Sequence, residues 1–113
     1  MTLNEIVSAL QLKVLTSLPE AQSPVTGGYA SDLLSCVMAR ARAGNVWVTL
    51  QAHVNVVAVA SLLGLAGVII TEGAQPDAAT LQKAAAEGIV LLSTGETTFA
   101  VVAALARLGI EAA

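Results

Sequence analysis

The chain has 113 residues, of which 56% are hydrophobic and only 12% are charged, and its formal net charge is −3. This length suits one domain with its own core, and so apolar a composition excludes intrinsic disorder. The absence of a basic run argues against a nucleic-acid partner, and the single cysteine, Cys36, gives no disulfide framework and fits a cytoplasmic protein.

The N-terminal third predicts a helix, an edge strand and a loop. Thr2 and Glu5 match a capping box, which predicts a short helix over about residues 3–9. The segment from Leu10 to Leu18 predicts a strand, and its lysine, Lys13, indicates an edge position.

A proline-flanked loop then leads into Thr26-Gly27-Gly28, which we interpret as a glycine turn that delivers the chain to a helix N-terminus. In this interpretation Ser31 and Asp32 offer caps to that helix, and Gly44 follows its end. Its apolar positions form one stripe, namely Leu33, Leu34, Val37, Met38 and Ala41.

The remainder of the chain alternates short apolar strands with helices. Strands are predicted at residues 46–50, 67–71 and 89–93; helices are predicted at 56–63, from Pro76-Asp77 to Gly88, and after the second glycine turn, Thr94 to Thr98. This alternation predicts an α/β fold, a small three-layer domain whose mostly parallel, roughly four-stranded sheet carries helices on both faces.

The helix over Val56 to Leu63 is apolar all round, which predicts burial on most sides. A membrane span is the alternative, because no charged residue occurs between Ala43 and Thr71. The cleanest apolar piece, Val56 to Ile70, is nevertheless shorter than the roughly 20 residues that a spanning helix needs. We therefore expect no membrane partner and infer that a homo-oligomer buries part of the helical layer.

Polar residues are expected beyond the carboxyl ends of the strands, where ligands bind in open α/β sheets. The candidate ligand-binding residues are Thr26, Gly27, Gly28, Thr49, Gln51, His53, Asn55, Thr94 and Gly95. The same edge is expected to hold Thr16, Ser17, Thr71, Glu72, Ser93, Glu96 and Thr97. A small anionic ligand or a nucleotide would suit helix N-termini. Residues of these types also cap helices and form turns in any such fold, so a purely structural role for the candidate residues stays open.

His53, the only histidine, occupies a loop where a general base or a ligand contact would lie. No second His or Cys lies at metal-ligand spacing from His53, so a hydrogen-bonding role is favoured for it. We expect no metal, no cofactor and no catalytic residue. Neither glycine turn has the spacing of a phosphate-binding loop. Glu72 and Glu96 could serve acid–base chemistry, but such residues more often complement a helix dipole.

An ordered set of segments resembles the DRTGG domain family: Val25-Thr26-Gly27-Gly28-Tyr29, residues 31–34 and 43–51, His53 with Asn55, and residues 67–71 and 89–94. The resemblance covers about residues 10–110, although Pro24 and Val25 stand where the family has its eponymous Asp and Arg. It implies a compact α/β domain that occurs alone, beside CBS domain pairs in regulatory inorganic pyrophosphatases, and in phosphotransacetylases. The family is also similar to the N-terminal domain of HPr kinase/phosphorylase, which lacks the kinase active site.

The resemblance further implies self-association and regulation. We therefore expect a single domain over residues 1–113 that serves as a non-catalytic regulatory or oligomerisation module, as a cytoplasmic homodimer. A sensor that binds a small anionic ligand or nucleotide is the alternative, and a small enzyme using His53 is a third hypothesis. A protein partner also stays open.

Overall fold

A five-stranded sheet with the order β1-β5-β4-β3-β2 forms the middle layer of the computed structural model, which describes residues 1–113. The strands are β1 (Lys13–Val14), β2 (Gly27–Ala30), β3 (Asn45–Thr49), β4 (Gly67–Ile70) and β5 (Leu91–Ser93). The helices are α1 (Leu3–Leu10), α2 (Leu34–Arg40), α3 (Asn55–Leu63), α4 (Ala78–Glu87) and α5 (Thr98–Arg107). Only β1 is antiparallel to its neighbour. The predicted fold class is confirmed, with five strands instead of four.

Successive residues of the central strands pack against opposite helix layers. Val46, Val48, Ile69 and Leu92 lie in a core with residues of α1 and α5. Trp47, Val68, Ile70 and Leu91 lie in a second core with residues of α2, α3 and α4. Because both faces are covered, every residue of β3, β4 and β5 is buried, and these strands need no polar side chains within them.

Helix caps form where the sequence predicts them at α1 and α4. Thr2 and Glu5 make the complete capping box of α1, and the Asp77 carboxylate accepts a hydrogen bond of 2.8 Å from the Thr80 amide. Hydrogen bonds from the Thr80 backbone and side chain hold the pKa of Asp77 below its ordinary value. Gly88 ends α4 in the left-handed conformation that glycine favours.

The predicted strand from Leu10 to Leu18 is wrong in extent. Helix α1 continues to Leu10 and turns at Gln11, which has a φ of 52°, so that β1 contains only Lys13 and Val14. Lys13 is exposed and β1 lies at one side of the sheet, which confirms the edge position.

Gly27 and Gly28 do not form a turn before a helix, which corrects the sequence interpretation. They begin β2, which runs parallel to β3, and neither glycine has a positive φ. A Cβ on Gly27 would lie 3.1 Å from the Glu111 carbonyl oxygen, and one on Gly28 would lie 3.3 Å from the Ile110 side chain. These glycines therefore allow the C-terminal segment to approach the backbone of β2 closely.

Two helix starts also differ from the predictions. Helix α2 begins after Leu33, and its N-cap makes no side-chain hydrogen bond, so neither Ser31 nor Asp32 caps it. Its last residue is Arg40, and Gly44 belongs to the turn before β3. Helix α3 begins at Asn55, one residue before the predicted range of 56–63.

The predicted burial of several helical side chains is wrong. Leu33, which precedes α2, and Met38, which lies within it, are exposed, although the sequence assigns both to one apolar stripe. In α3, whose apolar sequence predicts burial on most sides, Leu62 is 69% exposed. None of the five helices combines the length and hydropathy that crossing a membrane would require.

Thr26 holds the turn that precedes β3. Its hydroxyl donates a hydrogen bond of 2.8 Å to the Ala43 carbonyl and accepts one of 3.0 Å from the Asn45 side chain. The Asn45 carboxamide oxygen in turn accepts a hydrogen bond of 2.7 Å from the Arg42 amide. Gly44, between these residues, has a φ of +81° and passes so close that an added Cβ would lie 2.8 Å from Thr26 Cγ2.

We expect Gly44→Ala to destabilise the protein more than Gly88→Ala does. Both glycines have positive φ, so each alanine brings roughly 1–2 kcal/mol of backbone strain. Only at Gly44 does the new methyl group also collide with Thr26, because nothing lies within 4 Å of a Cβ at Gly88. Urea unfolding should show a further loss of about 1–2 kcal/mol at Gly44, and equal losses for the two variants would contradict this account.

Candidate functional site

The carboxyl ends of β2, β3, β4 and β5 meet at one edge of the sheet, because these four strands are parallel. We call this the polar edge, and it consists of Asp32 and residues 49–55, 71–73 and 93–97. Six of the predicted ligand-binding residues lie here, namely Thr49, Gln51, His53, Asn55, Thr94 and Gly95.

The other three predicted residues lie elsewhere. Thr26, Gly27 and Gly28 are at the beginning of β2, at the opposite end of the sheet. Thr16 and Ser17 were also expected at the polar edge, and they are not there because β1 is antiparallel to β5. The Thr16 hydroxyl donates to the carbonyl of Ile89, just before β5. The predicted site residues therefore lie at two opposite ends of the sheet.

Asp32 organises the end of β3. Its Oδ1 accepts hydrogen bonds from the Thr49 hydroxyl at 2.8 Å and from the Leu50 amide at 2.9 Å. The Gln51 side chain donates to the Asp32 carbonyl at 3.2 Å, and the Gln51 amide donates to the Thr49 hydroxyl at 3.0 Å. Thr49 is fully buried, so its hydroxyl serves this network and is closed to solvent.

Sequence reasoning missed this role of Asp32 because its partners come from the neighbouring strand. An aspartate two residues before an apolar helix has the same local pattern as a cap. Only the pairing of β2 with β3 shows that its carboxylate instead reaches Thr49 and Leu50.

The Glu72 carboxylate occupies the N-terminus of α5. Its Oε2 accepts a hydrogen bond of 2.8 Å from the Thr98 amide, where a negative charge complements the helix dipole. Glu72 has a φ of 61°, which strains a residue other than glycine by about 1 kcal/mol. An internal carboxylate thus fills the position that an external anion would take at this helix.

Thr94 and Gly95 form a turn that satisfies its own backbone. The Thr94 amide donates to the Ile70 carbonyl at 3.0 Å, and the Thr94 hydroxyl accepts from the Glu96 amide at 3.1 Å. The Thr94 carbonyl accepts from Gly73 at 3.1 Å. The hydrogen bonds of Thr94 therefore tie the end of β5 to the end of β4.

The start of α3 differs from those of α4 and α5 in how it is capped. Its N-cap, Val54, makes no side-chain hydrogen bond, whereas Asp77 and Thr97 cap the other two helices. His53 is exposed, and its Nδ1 accepts a hydrogen bond of 3.2 Å from the Asn55 amide. The proton of the neutral imidazole therefore lies on Nε2.

His53 also adds to the electrostatic environment of Asp77. Its charge contributes to the lowered pKa of Asp77, although the hydrogen bonds from Thr80 are the larger cause. No three His, Cys, Asp or Glu side chains are grouped in a way that could hold a metal ion.

The cavities of the structure lie away from Gln51, His53 and Asn55. One of about 290 Å³ lies between β2, α5 and the C-terminal segment. A second, of about 240 Å³, reaches the polar edge only through Thr94 and Glu96. The other two, of about 230 and 350 Å³, involve residues at the amino end of β2.

Comparison with protein families matches residues 5–108 to the DRTGG domain. The fold is similar to a crystal structure of the CBS and DRTGG domains of the regulatory region of Clostridium perfringens pyrophosphatase, complexed with its activator diadenosine tetraphosphate. The TM-score is 0.75 at 15% identity, and the match covers 92% of this chain and 45% of that chain. This chain therefore spans less than half of that structure, and the likeness shows a shared fold. No curated protein sequence matches the chain.

We expect Asp32→Ala to destabilise the protein by about 1–3 kcal/mol, because it leaves the Thr49 hydroxyl and the Leu50 amide without their acceptor. Asp32→Asn is the matched control, since its side-chain oxygen can still accept both hydrogen bonds. Urea unfolding should therefore rank the alanine variant well below the asparagine variant. An alanine variant as stable as the wild type would show that the network contributes nothing.

Proposed function

The chain belongs to the DRTGG domain family, and from this premise we propose that it is a non-catalytic regulatory module that acts as a homodimer. The observation that carries the proposal is that backbone donors of the polar edge already bond to carboxylates of the protein itself. The carboxylates of Asp32 and Glu72 accept hydrogen bonds from the Leu50 and Thr98 amides, which an anionic substrate would otherwise bind. An edge whose donors are used internally supports a structural role for these loops.

The geometry of His53 argues against catalysis by this residue. A catalytic histidine base usually donates from Nδ1 to an orienting acceptor, which leaves Nε2 free to take a proton. Here Nδ1 accepts from the Asn55 amide, so Nε2 carries the proton in the neutral ring. The ring is also exposed and lines none of the four cavities, so nothing holds a substrate against it.

Exposed apolar side chains support the homodimer. Phe99 is 85% exposed and Leu62 is 69% exposed, and five other large hydrophobic residues are also exposed. The charged fraction is only 12%, so few charges are available to keep such surfaces apart. Extensive exposed apolar surface in a chain this small favours burial against a partner.

The regulatory part of the proposal rests on the domains that accompany the DRTGG domain in the similar crystal structure. The similar crystal structure belongs to a regulatory region, in which the DRTGG domain lies in one chain with CBS domains. A domain that dimerises and lacks a catalytic site can transmit a signal between the proteins or domains that it joins.

Sedimentation equilibrium at micromolar concentration tests the dimer. We expect a mass of twice 11.4 kDa, because the exposed apolar surface is buried when two copies associate. Added salt should not dissociate the dimer, since its contacts are apolar and are not screened. A monomer of 11.4 kDa across the micromolar range would refute the proposal.

A sensor for a small anionic ligand is the second candidate, and the start of α3 favours it. Its first amides, those of Asn55, Val56 and Val57, already donate to His53 Nδ1 and to the carbonyls of His53 and Val54, but the side chains of His53 and Asn55 are exposed. An anion could accept hydrogen bonds from His53 Nε2 and from the Asn55 carboxamide. The similar crystal structure holds diadenosine tetraphosphate, a ligand of this chemical class.

Thermal-shift measurements with inorganic phosphate, ATP and diadenosine tetraphosphate test this candidate. Binding to the folded state at 100 times the dissociation constant stabilises by about 2.7 kcal/mol, which raises Tm by several degrees. The rise should shrink in His53→Ala and persist in Phe99→Ser, whose substitution is on another helix. No shift with any of the three compounds would remove the candidate.

A further inference from the structure

The sheet has two edge strands, and they differ in the features that discourage further strand pairing. An edge strand carries unpaired backbone groups, with which a strand of another molecule can pair. At one edge, β1 has only two residues and the side chain of Lys13 is exposed, which discourages such pairing. At the other edge, β2 contains neither a charged residue nor a proline. The protection of β2 must therefore come from another part of the chain.

Residues 110–113, which we call the strap, lie along the outer side of β2. The Gly28 amide donates a hydrogen bond of 2.8 Å to the Glu111 carbonyl, and the Gly28 carbonyl accepts one of 2.9 Å from the Ala113 amide. These two bonds form a parallel bridge between Gly28 and Ala112. The backbone amide and carbonyl of Gly28, which face away from β3, are therefore both occupied by the strap.

The residues of β2 and of the strap suit this close contact. A Cβ on Gly27 would lie 3.1 Å from the Glu111 carbonyl oxygen, so a larger residue there would press against the strap. Ile110 is partly buried and packs against the core beneath α1 and α5, which anchors the start of the strap. Glu111 is exposed. The strap thus has an apolar anchor and a carboxylate at the edge of the sheet.

We propose that the strap closes the β2 edge against pairing with a strand of another molecule. A single bridge beside a carboxylate is a much poorer template for pairing than the uncharged strand that it covers. Only two hydrogen bonds join the strap to β2, so the strap opens more readily than the sheet itself does. This inference concerns the sheet edge and does not depend on the proposed homodimer.

Closure of the edge accounts for the strap better than stabilisation of the fold does. The strap is exposed beyond Ile110 and therefore buries little apolar surface there. Exposed hydrogen bonds contribute little to net stability, because water replaces them when they open. Gly27 and Gly28, which allow the strap to approach, also weaken the strand in which they lie. The contact therefore adds little net stability, whereas it covers the one edge that lacks other protection.

Sedimentation velocity of Ala113→Pro and Ala112→Pro tests this inference, with amide hydrogen exchange of Gly28 as a second readout. Proline at position 113 removes the amide that donates to Gly28. Ala112→Pro is the matched control, because the Ala112 amide faces away from β2 and takes no part in the bridge. Both residues are exposed, so neither substitution should disturb the core, and Trp47 fluorescence checks this.

We expect the Gly28 amide of Ala113→Pro to exchange roughly fivefold faster than that of the wild type, which corresponds to the loss of one hydrogen bond from the strap. Its average mass should exceed that of the wild type by up to roughly twofold at the highest concentration, because two opened edges pair. Ala112→Pro should match the wild type in both measurements. Since each mass is compared with the wild type, the test holds whether the wild type is a monomer or a homodimer.

Each outcome decides for or against the strap. Faster Gly28 exchange together with a larger average mass in Ala113→Pro alone supports the inference. Faster exchange without a larger mass overturns the closing role, because the opened edge then pairs with nothing. Unchanged exchange overturns the strap as the protection of Gly28, and an equal rise in mass for both variants overturns its dependence on the Ala113 hydrogen bond.

Discussion

Burial of the parallel strands on both faces is the constraint on which the rest of the structure depends. Since β3, β4 and β5 have no solvent-facing side, their residues are apolar almost throughout, and polar groups are left to the ends of the strands. The loops at these ends must then satisfy their own backbone amides. Asp32 and Glu72 do so by accepting from Leu50 and Thr98, which is why the polar edge is largely occupied by the protein itself.

The features that the sequence predicts well are those that depend on neighbouring residues. The alternation of apolar strands and helices predicts the α/β class, and the caps at Thr2 and Asp77 mark helix starts. Local sequence misidentifies the role of Gly27 and Gly28, because a glycine pair has the same local pattern whether it serves a turn or a close approach. The group that approaches them, the C-terminal segment, is distant in the sequence. The direction of β1 and the role of Asp32 were missed for the same reason, because both depend on strand pairing.

The structure also changes the meaning of the Thr26-Gly27-Gly28 sequence. Thr26 fixes the turn before β3 through Ala43 and Asn45, and the glycines make room for the C-terminal segment. These are contributions to folding at the end of the sheet opposite the polar edge. This segment, which is part of the resemblance to the family, therefore contributes to the fold.

Amide NMR of the wild-type chain over a concentration series tests the central claim most directly, because it observes the polar edge and the exposed apolar side chains in one experiment. The account predicts that the signals of residues around Phe99 or Leu62, the most exposed large apolar side chains, shift as the dimer forms, while those of Gln51, His53 and Asn55 stay in place. Shifts confined to residues 51–55, or no shift at any concentration, would contradict it.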